Sequence, residues 1–78
     1  MRVAVTFMAD IRRFAPSDAR GPHPYTLGAG ATVADLLSIV GIPPDLDLTI
    51  GVDGELAVRD TPLRDGADVM LVSPMEGG

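Results

Sequence analysis

Cysteine, lysine and tryptophan are all missing from this chain of 78 residues. Without cysteine no disulfide or thiolate metal site can form, and no persulfide or thioester relay can run through the chain. Without lysine the basic residues are all arginines (Arg2, Arg12, Arg13, Arg20, Arg59 and Arg64), so no side-chain amine can attack an activated carboxylate. Arginine in place of lysine also arises as a genome-wide composition effect. The single histidine, His23, sits between Pro22 and Pro24. It excludes a catalytic dyad or a multi-histidine metal site built from this chain alone, and it reads as a loop residue.

Positive charge is scarce too. Six Lys+Arg against 11 Asp+Glu leave a net charge of −5 at pH 7. A nucleic-acid binder needs a dense basic stripe, and only Arg12 and Arg13 adjoin, so the charge argues against that class. No apolar run approaches membrane-spanning length. The opening "MRVAVTFMADIRR" imitates a signal peptide, but charge returns at Asp10 and cleavage would remove a strand. The expectation is a cytoplasmic protein with no membrane partner. Hydrophobic residues at 46% and charged residues at 22% describe a folded domain, and the length allows one small core.

What is present divides into short elements. Arg2 to Met8 reads as a strand with Val3, Val5 and Phe7 on one face, followed by a helical turn from Ala9 to Phe14. Pro16, Gly21, Pro22 and Pro24 mark a loop, and a weaker strand lies around Tyr25 to Leu27. Gly28 to Ala31, "GAGA", is a turn and no phosphate loop, since no Gly-Lys-Ser/Thr follows. A helix starts at the N-cap Thr32, with Asp35 completing an approximate capping box and Val33, Leu36, Leu37 and Val40 on one face. Gly41 and then Pro43 and Pro44 end it.

Asp45 and Asp47 alternate with leucines as the solvent side of a chain entering the next strand, where Leu48, Ile50 and Val52 alternate. Asp53-Gly54 is a tight hairpin turn into a strand from Glu55 to Val58. Asp65-Gly66 turns into the last strand, Asp68 to Val72, whose unbroken apolar run predicts a central position covered on more than one side. The order β, β, α, β, β, β is an α+β plan: the β-grasp or ubiquitin-like fold, a mixed sheet with one main helix packed across it. Residues 1–78 make one domain, with a flexible C-terminal tail over 73–78.

That tail is "SPMEGG", and it closes a longer pattern. Pro62-Leu63, Asp65-Gly66, an aliphatic strand, Pro74 and Gly77-Gly78 follow in order. With "VTFMADIRRF" at the start, "TVADLL" at the helix and "VDGELA" at the hairpin, the chain resembles the MoaD/ThiS-like sulfur carriers. It is most similar to the MoaD-like small subunit of molybdopterin synthase. One departure is Ser73, where many such subunits carry a first proline.

The resemblance implies a stoichiometric carrier, not an enzyme. Its Gly78 carboxylate, next to Gly77, would be adenylated by a ubiquitin-activating-like enzyme that uses ATP, then converted to a thiocarboxylate that donates sulfur to a small-molecule precursor. No cofactor is bound. The partners implied are that adenylating enzyme and the molybdopterin synthase large subunit, in a heterotetramer. Phe7, Leu71, Pro74, Met75 and Glu76 are the expected partner-binding residues. Met1, Met8 and Met70 are read as initiator, core or partner-facing filler. Two glycines let backbone approach closely on all sides, and Pro74 stops the strand. Three alternatives share these features: a ThiS-like carrier for another metabolite such as thiamine, a ubiquitin-like modifier that forms amides with lysines of other proteins, and a β-grasp binding module without tail chemistry.

Overall fold

The computed structural model describes residues 1–17 and 21–73. Its elements are β1 (Arg2–Met8), a 3-10 helix (Ala9–Phe14), β2 (His23–Thr26), α1 (Val33–Val40), β3 (Thr49–Val52), β4 (Glu55–Ala57) and β5 (Asp68–Val72). The strands form one sheet in the order β2-β1-β5-β3-β4. Central β1 and β5 run parallel, pairing Ala4 with Asp68 through Met8 with Val72, and the other neighbours are antiparallel. This is the β-grasp arrangement expected from the sequence.

Local chemistry accounts for the elements. At the start of α1 the Asp35 N–H donates to Thr32 Oγ1 at 3.4 Å, and the Thr32 N–H donates to Asp35 Oδ2 at 2.9 Å. The reciprocal pair satisfies two donors that a helix start leaves orphaned. Two more are taken by the segment after β4, as the Val33 and Ala34 N–H groups donate to the carbonyls of Thr61 and Arg59 at 2.9 and 2.8 Å. Gly41 ends the helix in the left-handed region at φ 97, where a β-carbon would be strained. Asp53 and Gly54, at φ 52 and 85, make the predicted tight hairpin turn.

The core lies between α1 and one face of the sheet. Val33, Leu36 and Leu37 of α1 pack with Val3, Val5, Phe7, Ile50, Val69 and Leu71 of the strands. Leu36, Leu37, Leu71, Val5, Val33 and Val69 are fully buried, and each such side chain contributes about 1.5–3 kcal/mol. Val40 is half-buried at the margin.

The structure departs from the sequence reading in β2, at His23 and in β5. β2 spans His23–Thr26, so Pro24 is in a strand; β2 pairs only with β1, and an edge strand tolerates a residue that cannot donate on its open side. His23 is therefore a strand residue, with its ring centroid 5.6 Å from that of Phe7. The third correction concerns β5. It is central, but only Val69 and Leu71 are buried, while Asp68 and Met70 are exposed. Helix α1 covers one face, and the other is open.

Candidate functional site

The parallel pairing of β1 with β5 brings their C-terminal ends together at Met8 and Val72. Beyond that pair β1 turns away from the sheet. Ala9 adopts φ 52, in the left-handed region that a residue with a β-carbon rarely takes, and turns β1 into the 3-10 helix. The next residue, Asp10, donates its backbone N–H to Ser73 Oγ at 2.9 Å. A side-chain oxygen thus continues the β1–β5 junction one step past the ladder. Ser73, counted with the tail in the sequence reading, is tied to the sheet.

Pro74, Met75, Glu76, Gly77 and Gly78 lie outside the described residues. Of the predicted site, Phe7 and Leu71 remain, and both are corrections. They are 6% and 0% exposed, on the face that packs against α1. A side chain already committed to the core offers no surface to a partner. Their neighbours along each strand lie on the other face, because successive strand residues point to opposite sides.

On the open face, Met8, Val72 and Thr49 form one row across β1, β5 and β3, while Thr6, Met70, Gly51 and Leu56 form a second row that reaches β4. Cross-strand partners share a face, so these rows are one continuous surface. Met8 is 40%, Met70 46% and Leu56 85% exposed. Thr6, Thr49, Gly51, Leu56, Met70 and Val72 line an open groove of about 490 Å³ there, with acidic Glu55 and Asp68 beside it.

Sequence reasoning missed Met8, Met70, Val72, Leu56 and Gly51 as a surface. In "DVMLV" apolar residues occupy both faces, so the alternation that would divide them is hidden. A usable signal lay in the partner strands, where Thr6 and Thr49 interrupt the apolar pattern.

At the tail root Asp10, Ile11, Arg13, Asp45, Leu46, Asp47 and Ser73 enclose a second, shallower recess. Asp45 and Asp47 are exposed there, as read from the sequence. Among the described residues no polar or charged side chain is buried, and no group of three or more His, Cys, Asp or Glu could hold a metal ion. No described helix is long and apolar enough to cross a membrane. The described body presents an apolar sheet face with acidic Asp68 on it, and that face ends beside Ser73.

The comparisons agree with this geometry. The chain is similar to SAMP1 from Haloferax volcanii, at 22% identity and a TM-score of 0.77, with all of both chains covered. It is similar to the putative molybdopterin converting factor, subunit 1, from Pyrococcus furiosus, at 27% identity and TM-score 0.74, covering 95% of this chain and 98% of that one. A third likeness is to a chain in the complex of subunits 1 and 2 of the molybdopterin-converting factor from Helicobacter pylori 26695, at 23% identity and TM-score 0.62, with both chains fully covered. A search of curated proteins finds no match. The likenesses under 25% identity speak to the fold. The family is shown by the ThiS family model, which matches residues 5–78. The resemblance read from the tail, helix and hairpin motifs is borne out, and the chain belongs to the ThiS family.

Proposed function

We propose that this protein is a sulfur carrier whose C-terminal Gly78 carboxylate is the working group. The observation that carries the proposal is that the family match runs through Gly77 and Gly78. A free carboxylate is a poor electrophile. An ATP-using partner therefore lets a Gly78 carboxylate oxygen attack the α-phosphorus of ATP, and pyrophosphate leaves. Sulfur from a sulfide-level donor then adds to the acyl carbon and AMP leaves, so that one C–S bond replaces one C–O bond. The thiocarboxylate is a soft, ionised nucleophile for an electrophilic carbon of a small-molecule precursor. This chain supplies the reacting terminus and the docking surface, while its partners supply the catalysis.

Molybdopterin assembly is the product we favour, supported by the 27% identity to a putative molybdopterin converting factor subunit. The Helicobacter pylori neighbour forms a complex with a second subunit, and we propose a corresponding large-subunit partner here. Met8, Met70 and Val72 on the open face, with Pro74, Met75 and Glu76 of the tail, would contact it and the adenylating enzyme. The lack of lysine bars side-chain amide formation between copies of the activated chain.

Gly77 and Gly78 have no side chains to bury, and exposed substitutions change stability by no more than about 0.5 kcal/mol. Activation should respond differently, because a misplacement of about 1 Å at a reacting centre can cost roughly 100-fold in rate. Gly78→Val adds bulk beside the carboxylate, and deleting Gly78 shortens the reach by about 3.5 Å. Both variants are expected to melt like the parent and to be adenylated far more slowly, as followed by ATP–pyrophosphate exchange. Mass mapping of the activated parent should place the sulfur-for-oxygen exchange at Gly78. Parent-like exchange and sulfur transfer in both variants would sink the carrier reading.

A further inference from the structure

The glycine at position 51 is not required by the fold. It lies inside β3 between Ile50 and Val52 and is absent from the glycines with positive φ. A β-carbon built there would meet Met70 Cβ at 3.7 Å and the Glu55 carbonyl oxygen at 3.8 Å, which is ordinary van der Waals contact. A glycine within a strand is about 0.5–1 kcal/mol worse than alanine, and such positions often mark close approach by another molecule. Its surroundings point the same way. On the open face Gly51 pairs with Met70 on one side and Leu56 on the other, two side chains that are 46% and 85% exposed. The missing side chain is the low point between two apolar walls.

We infer that Gly51 is a specificity-determining position, the floor of a notch that receives one apolar side chain from the adenylating partner. This deepens the carrier reading and rests on it. The occupant follows from reach and charge. Residues 74–78 span at most about 17 Å beyond Ser73, so a partner that takes the Gly78 carboxylate into its nucleotide site must lie close to the end of β5. Val72, the residue before Ser73, lines this groove. The floor is apolar, and Asp68, which shares the open face with Met70, suits a partner whose apolar knob is rimmed by arginine or lysine. Anchors of that kind at the centre of an interface carry most of its affinity.

The test fills the notch. Gly51→Ala and Gly51→Val are prepared with Ser38→Val, a control on the exposed side of α1. Melting is measured for each, and ATP–pyrophosphate exchange is followed with the adenylating enzyme that turns over the parent chain. Melting temperatures at or above that of the parent are expected for Gly51→Ala. KM should rise about tenfold or more for Gly51→Val and less for Gly51→Ala, with kcat kept, since a docking contact is made equally in ground and transition states. Ser38→Val should leave both constants unchanged. Parent-like KM in both Gly51 variants overturns the notch, and a lowered melting temperature in Gly51→Ala overturns the premise that the fold does not need glycine. A parent chain that no adenylating enzyme turns over, at any concentration, refutes the carrier reading itself.

Discussion

Ser73 shows how one hydroxyl can set where a sheet ends. Its Oγ accepts the Asp10 N–H at 2.9 Å across 63 positions of sequence. The donor is exposed, so water replaces the hydroxyl when it is removed and only the net value of one hydrogen bond is lost. Ser73→Ala is therefore expected to cost about 0.5–1 kcal/mol in thermal or denaturant unfolding. Amide exchange at Asp10 should quicken, and Ser73→Thr, which keeps the hydroxyl, should restore both. Unchanged exchange at Asp10 in the alanine variant would show that the contact does not hold in solution. The sequence displays Ser73 as a departure from a two-proline pattern. It does not display Asp10 as the partner, because only the parallel register brings residues so far apart together.

At the scale of elements, β5 presents two environments on alternate residues. Leu71 is fully buried against α1, whereas Met70, one step away, is 46% exposed beside Gly51. Leu71→Ala should lower unfolding free energy by about 3 kcal/mol, the range for a buried leucine that leaves a cavity. That is a large share of the roughly 4–12 kcal/mol available to a domain of this size. Met70→Ala should cost less than about 1 kcal/mol but weaken partner binding about tenfold, as expected for an interface anchor. Denaturation and calorimetric titration of the pair check this, and the reverse pattern would invert the assignment of faces. The helix was more legible than the strand. Thr32, Asp35 and Gly41 announce its ends through local chemistry, while the two sides of "DVMLV" differ only in what lies across from them.

Across the whole molecule, the absences noted first leave an unusual titration. With no lysine and no cysteine, and with arginines charged throughout, Tyr25 is the one side chain that titrates between about pH 8 and 12. It lies half-buried on β2 near Phe7, the ring centroids 6.5 Å apart, and burial raises its pKa from 10.0. Since the folded value lies above the unfolded one, Tyr25 contributes no pH dependence below about pH 9. As pH climbs past the ordinary value the unfolded chain ionises first, and stability falls until the folded pKa is passed. Denaturation midpoints should therefore decline above about pH 10 in the parent, and the Tyr25→Phe variant should lack that decline. An equal decline in both would place the alkaline sensitivity elsewhere.

The sequence by itself determined the order of elements, the helix caps, the hairpin turn at Asp53 and Gly54, and the family likeness carried by its closing motif. Each depends on residues close together in the chain, where side-chain chemistry and backbone conformation speak directly. Only the tertiary structure decided which face of the sheet α1 covers. That choice buried Phe7 and Leu71, exposed Met8, Met70 and Leu56, placed Pro24 on an edge strand and joined Ser73 to Asp10. The physical reason is that burial belongs to a pair of surfaces, not to a residue. An apolar side chain is equally ready to fill a core or to face a partner, and the register of distant strands settles which it does.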